Sequence, residues 1–150
     1  MVSKILVAID GSRPAEKAVV LASDIAQKYG AEVLLLYVVT EAAGANIPEH
    51  MRISAEMENV RVTTAGLLRG IGQEVLKEAQ DIARGHGVEQ VEALIEIGDP
   101  AQRIIAAAKD RNVDLIAIGQ RGLGDAAALL LGSVSHKVVQ LAECPCLTVR

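Results

Sequence analysis

The chain has 150 residues, 51% of them hydrophobic and 23% charged, with a formal net charge of −4. That length suits one ordinary domain, 1–150, able to bury roughly two-thirds of the surface its unfolded chain would expose, and no apolar run is long enough to cross a bilayer. The acidic balance offers no basic surface for nucleic acid or anionic lipid, so any phosphate group has to be captured locally.

Lys4 to Asp10 (KILVAID) is a short apolar run ending in an acid, and its β-branched content and bounded length predict a buried strand. Ser12 and Pro14 suit the start of a helix, apolar residues from Ala18 to Ala26 keep helical spacing, and Gly30 ends it after Tyr29. Glu32 to Val39 (EVLLLYVV) is a second continuous apolar run, the pattern of a strand covered on both faces. From Thr40 to about Val62 the pattern weakens: Gly44, Asn46 and Pro48 predict a loop, and MRISAEMENV is compatible with a helix start or irregular chain. From Ala65 the spacing of Leu68, Ile71, Val75, Ala79 and Ile82 predicts a helix. Gly66, Gly70 and Gly72 each weaken it by roughly 1 kcal/mol relative to Ala, which points to a break or kink near Gly70.

GHG at Gly85 to Gly87 closes that helix, and Val91 to Ile97 alternates as a third strand. Asp99 is placed as an N-cap with Pro100 at the first helical position, predicting a helix from Ala101 to Arg111. Leu115 to Ile118 predicts a fourth strand, Ser133 to Ala142 a helix, and Cys146 to Val149 a last short strand. Strand and helix therefore alternate along the chain without an internal repeat, which argues for a parallel sheet covered on both faces by right-handed crossovers.

In open sheets of this kind ligands settle at the carboxyl ends of strands, where the strand order reverses. Asp10, Val38 and Gly119 fall at such ends. The segment GQRGLGDAAALLLGS, Gly119 to Ser133, combines glycines with a leucine-rich end. Gly119 and Gly122 permit close backbone approach or positive φ, and Gly132 and Ser133 open a helix whose first N–H groups lack intrahelical partners and attract an anion. Leu129 to Leu131 would anchor the far side of the loop, so that both glycine segments converge. Ser133 and Ser135 offer hydroxyls and capping groups, and Arg121 is the cation of the loop.

The spacing G119-x2-G122-x9-G132-S133, followed by VSHKV and CPCLTV, resembles the ATP-binding signature of the universal stress protein family, and KILVAIDGS, GDPAQRI and VDLIAIGQRG are similar to that family's other segments. The resemblance covers the chain except Thr40 to about Gly72. It implies a Rossmann-like, adenine nucleotide alpha hydrolase-like α/β fold: three α/β/α layers around an open parallel five-stranded sheet of order 3-2-1-4-5. It also implies a homodimer joined through the C-terminal strand. Carried over by position, it puts Asp10 near the adenosine with Ala8 and Ile9 beside it, Val38 along the base, and Ile118 at the pocket floor. Ribose and phosphates fall to Gly119, Arg121, Gly122, Gly132, Ser133, Val134 and Ser135. A charged Asp10 accepts a ribose hydroxyl but repels phosphate, so its place is at the sugar end.

Two positions depart from the family pattern. Gln120 stands where members often carry Ser or another small polar residue. Asp125 puts a carboxylate into the phosphate loop, which opposes anion binding unless it points away or helps hold a divalent ion; a solvated loop residue is the favoured reading.

With no Phe, no Trp and two Tyr, a base would sit between aliphatic walls, and the composition counts against a stacking platform for single-stranded nucleic acid. Cys144 and Cys146, two apart across Pro145, read as small apolar residues and not as a disulfide, redox or metal pair. His50 and His86 read as solvent-facing, His136 as a surface or packing residue with a phosphate contact as its alternative, and Tyr37 as a core residue with a ligand contact at its strand end as its alternative. No spacing supplies a catalytic triad or paired carboxylates, so no catalytic residue and no metal ligand is assigned. MVSKILVAID lacks the pattern of a signal peptide, which favours the cytoplasm. The function expected is binding of ATP, or of AMP or ADP, with Mg2+ accompanying the phosphates, as a stress-response switch. The alternatives are a slow ATPase on the same scaffold and a nucleotide-free dimerisation adaptor.

Overall fold

The computed structural model describes residues 1–40, 64–123 and 131–150. The chain runs β1 (Lys4–Ile9), α1 (Arg13–Tyr29), β2 (Glu32–Val39), α2 (Thr64–Gly85), β3 (Val91–Ile97), α3 (Pro100–Asp110), β4 (Leu115–Gly119), α4 (Ser133–Leu141) and β5 (Cys146–Val149). The strands form a 5-stranded sheet in the order β3-β2-β1-β4-β5, parallel at every pairing. Boundaries read from the sequence move by a residue at most: β1 stops at Ile9, β4 includes Gly119, and α3 begins at Pro100.

Alternation along β1 divides its side chains between two cores. Ile5, Val7 and Ile9 pack with Ala18 and Ala22 of α1 and Leu76, Ala79 and Ala83 of α2. Leu6 and Ala8 pack on the other face with Leu34, Leu36 and Ile116, beneath Ile104 of α3 and Val138 of α4. Both sets are buried, and each large aliphatic side chain so covered is worth about 1.5–3 kcal/mol. Continuous apolar runs at β1 and β2 follow from this two-sided burial. The edge strand β3 is half-buried along most of its length.

Local signals fix where helices start and stop. Ser12 Oγ accepts the Ala15 N–H at 3.3 Å, Pro14 occupies the first turn, and Gly30 at φ 65° ends α1 with its N–H on the Ala26 carbonyl. Asp99 Oδ1 accepts the Gln102 N–H at 3.0 Å at the start of α3. The break expected near Gly70 is absent: α2 runs unbroken from Thr64 to Gly85. Burial of Leu68, Leu76, Ala79 and Ala83 outweighs the propensity cost of the glycines. Gly72 has a packing reason, since a Cβ there would lie 2.6 Å from the Tyr37 ring. The segment 41–63, with its expected loop and MRISAEMENV, and Asp125, Leu129 and Leu130 of the glycine loop lie outside the described residues.

Candidate functional site

The strand order reverses between β1 and β4, and a cavity of about 370 Å³ opens at their carboxyl ends. That volume is within the range of small-molecule sites. All the site residues read from the sequence line it: Ala8, Ile9 and Asp10 after β1, Val38 on β2, Ile118, Gly119, Arg121 and Gly122 after β4, and Gly132, Ser133, Val134 and Ser135 at α4. Register explains part of the convergence, because Ala8 pairs with Leu36 on one side and Ile118 on the other.

Main-chain geometry explains the glycines. A Cβ on Gly119 would stand 2.8 Å from the Ala15 nitrogen and 2.9 Å from the Pro14 carbonyl carbon, so only glycine lets β4 pass under the start of α1. A Cβ on Gly122 would stand 2.7 Å from Asp10 Oδ2. Neither glycine is at positive φ, so close approach is the reason at both.

Asp10 is tied to the chain around it. Its Oδ1 accepts the Ser12 N–H at 2.9 Å and its Oδ2 the Leu123 N–H at 3.3 Å. Ser12 also reaches the loop, its hydroxyl donating to the Arg121 carbonyl at 3.5 Å. On the other side, the Gln120 carbonyl accepts the Gly132 N–H at 2.7 Å and the Ser135 hydroxyl at 2.8 Å. These bonds pin the two glycine segments together. Gln120 connects them to the sheet edge as well: its N–H donates to Val149 at 2.6 Å, and Arg150 Nε donates to its Oε1 at 2.6 Å.

The start of α4 differs from the starts of α1 and α3. Its N-cap position is taken by Gly132, with no side-chain acceptor and no acid in the first turn. The first intrahelical bond there runs from the His136 N–H to the Gly132 carbonyl, leaving the preceding amides directed out of the helix toward any acceptor in front of them. The sequence suggested that Ser133 and Ser135 cap this helix. Ser133 instead is exposed in the first turn. Ser135 is buried, and its hydroxyl proton goes to the Gln120 or Gly132 carbonyl. What Ser135 offers the cavity is therefore its main chain.

The cavity walls are mostly aliphatic and include Tyr37 and residues that sequence reasoning left out: Leu36, Thr40, Pro100, Ile104 and Leu123. Pro100 and Ile104 lie four apart on one face of α3, a spacing visible in GDPAQRI. Tyr37 was read as core, and it does pack against the α1 and α2 core while its ring also reaches the cavity. Burial, and then the Asp10 charge, raise its phenol above the ordinary range, so it remains a neutral O–H at physiological pH. Arg121, half-buried, is the cation among the described lining residues.

The other candidates stand apart from the cavity. His136 is exposed on α4, and His86 Nδ1 is paired with Asp24 at 2.7 Å on the surface. Cys144 and Cys146 are free and half-buried, and burial pushes both thiols upward, which favours the protonated form. Among the described residues, no group of three or more His, Cys, Asp or Glu is placed to hold a metal ion, and no helix is long and apolar enough to cross a membrane.

Comparison with known proteins agrees with this geometry. A family model described as the universal stress protein family matches residues 1–150. Universal stress protein YxiE of Bacillus subtilis is 37% identical over 158 residues, covering 100% of this chain and 100% of its own. Among solved structures, universal stress protein UspA from Lactobacillus plantarum superposes with a TM-score of 0.78 at 26% identity, over 99% of this chain and 97% of that one. An Arabidopsis thaliana universal stress protein family protein with AMP bound gives a TM-score of 0.66 at 25% identity, over 98% and 90%. With a family match along its whole length and a relative 37% identical over the full chain, the chain belongs to the universal stress protein family.

Proposed function

We propose that the protein binds an adenine nucleotide, ATP with Mg2+ in its fullest form and AMP or ADP as shorter versions, in the cavity at the carboxyl ends of β1, β2 and β4. The observation that carries this reading is the start of α4, where uncapped amides open on a cavity whose other phosphate-facing parts are glycine backbone and Arg121. A phosphate chain supplies the acceptors those amides lack. Ala8, Ile9, Val38, Ile118 and Ile104 form aliphatic walls for a base, whose edge would be read by main-chain groups at the strand ends. Asp10 stands at the sugar end. Gly119, Arg121, Gly122, Gly132, Ser133, Val134 and Ser135 would surround the phosphates. The bound AMP of the Arabidopsis thaliana neighbour supports the choice of an adenine nucleotide.

The magnesium would arrive with the phosphates, held by them and not by a prebuilt cluster of protein ligands. We read the protein as a cytoplasmic switch in the stress response, changing surface or partner with occupancy. It would act as a homodimer joined through β5, an edge strand among the described residues and so suited to pairing with a second copy.

Calorimetric titration with ATP and magnesium tests the binding, and sedimentation velocity with and without nucleotide tests the switch. Saturable heat is expected, together with nucleotide recovered by mass spectrometry from protein released from a native preparation. Absence of heat or thermal shift at millimolar ATP would remove the reading. Replacing Gly132 and Ser133 by bulky apolar residues should abolish binding in a protein that still folds. Steady phosphate release that disappears in an Arg121 variant would instead favour a slow ATPase.

A further inference from the structure

We infer that Asp10 is a positioning residue for the phosphate half of the site, holding the glycine loop in register against the turn after β1. The inference rests on the nucleotide reading given above. Asp10 stands at the sugar end in that reading, yet the bonds its carboxylate already makes reach toward the phosphate half. Both of its oxygens are turned to main-chain amides, Oδ1 to Ser12 and Oδ2 to Leu123. Gly122 crosses directly over it, since a Cβ at that position would sit 2.7 Å from Oδ2.

The clamp is anchored in the core. Ser12 is buried and accepts the Ala15 N–H at the start of α1, while its hydroxyl reaches the Arg121 carbonyl. Asp10 and Ser12 thus hold Arg121 and Leu123, on either side of Gly122, by two bonds from one short turn, while the Ser12 N–H on Oδ1 fixes the carboxylate within that turn. Charge-assisted bonds from amide to carboxylate are the stronger ones. With the loop held, the Arg121 side chain and the loop backbone present a fixed surface to phosphate. An adenosine without phosphate makes no use of that surface, so the effect of Asp10 should grow with the phosphate chain.

Amide hydrogen exchange and titration with two ligands test this. In nucleotide-free Asp10→Ala, the Leu123 amide should exchange roughly tenfold faster than in the parent, with β1 amides still protected. The ratio of ATP affinity to adenosine affinity should fall by about tenfold. Asp10→Asn keeps one acceptor and turns an NH2 toward the second amide, so it should move both readouts the same way by a smaller factor; it carries the test if the alanine variant loses β1 protection. Unchanged Leu123 exchange, or equal loss of ATP and adenosine affinity, would overturn the inference and leave Asp10 as a sugar ligand only. A parent protein that binds neither ligand would defeat the nucleotide reading, and Leu123 exchange would then decide the clamp by itself.

Discussion

The two ends of the sheet each carry an aspartate whose carboxylate accepts main-chain amides, and they serve different ends. At the amino end, Asp114 Oδ2 takes the Ser3 N–H at 2.8 Å, the Ser3 hydroxyl at 2.7 Å and the Lys4 N–H at 3.0 Å. Those bonds tie the start of β1 to the start of β4 and close that end. At the carboxyl end, Asp10 lines a cavity and binds the amides of Ser12 after β1 and of Leu123 after β4. A carboxylate on backbone amides is thus a fastening, and what makes one end a site is what the fastening leaves over: strands and helices separated by glycine alone, and a helix start without its own cap. The helices sharpen the contrast. α1 and α3 begin with Ser12 and Asp99 as acceptors, whereas α4 begins without one.

The largest effect expected from disturbing this arrangement is at Gly119. In Gly119→Val the new Cβ would meet backbone atoms of Ala15 and Pro14 that have no room to yield. Stability should fall by about 3 kcal/mol, at the upper end for overpacking, read as a lower urea midpoint, and nucleotide binding should weaken with it. Next is Ser12→Ala. It removes the acceptor for the Ala15 N–H and the donor to the Arg121 carbonyl, and should cost about 1 kcal/mol by the same measurement. A Gly119 variant as stable as the parent would show that the two elements can part, and that the cavity does not depend on their contact.

The third change has the opposite sign. Ser133→Asp places a carboxylate in the exposed first turn of α4, where no acid stands. It should stabilise the fold by about 0.5 kcal/mol through the helix dipole while weakening ATP more than adenosine, because the introduced charge competes for the same amides. Raised stability with undiminished ATP binding would mean that the phosphates lie elsewhere.

The same contrast shows what was legible in the sequence. Caps are local, so Ser12 with Pro14, Gly30, and Asp99 with Pro100 announced the helix ends to within a residue. Apolar runs with two buried faces announced β1 and β2, and glycines clustered after a strand announced the loop. Partners across the fold were not legible. Nothing near Gly72 says that Tyr37 rests on it, so three glycines in one helix suggested a break or kink where the helix runs without interruption from Thr64 to Gly85. Ser135 reads as a phosphate donor until Gln120, held at 2.8 Å, is seen to take its proton. Gln120 itself looked like a departure from the family pattern; its main chain, which any residue would supply, joins the loop, α4 and β5.

The smallest effect is expected at the closed end, and it appears only in acid. Hydrogen bonds from the Ser3 hydroxyl and then from the Ser3 and Lys4 amides hold the Asp114 carboxyl below the usual carboxylate range. A group with a lowered folded pKa binds fewer protons folded than unfolded, so its contribution to stability is present above the unfolded pKa and is lost as pH falls through the folded one. For an aspartate the loss begins near roughly pH 4 and continues below it. Asp114→Asn cannot titrate, so its stability should fall less steeply than the parent's across that acid window, while near neutral pH it is the less stable of the two because a charged acceptor has become a neutral one. The group is half-buried at the edge of the fold, and solvent screening keeps the difference small. Urea midpoints measured for both proteins from neutral to acid pH test this: curves that stay parallel through the acid limb would mean that the fastening at Ser3 does not persist in solution, and the contrast between a closed and an open end would lose its closed member.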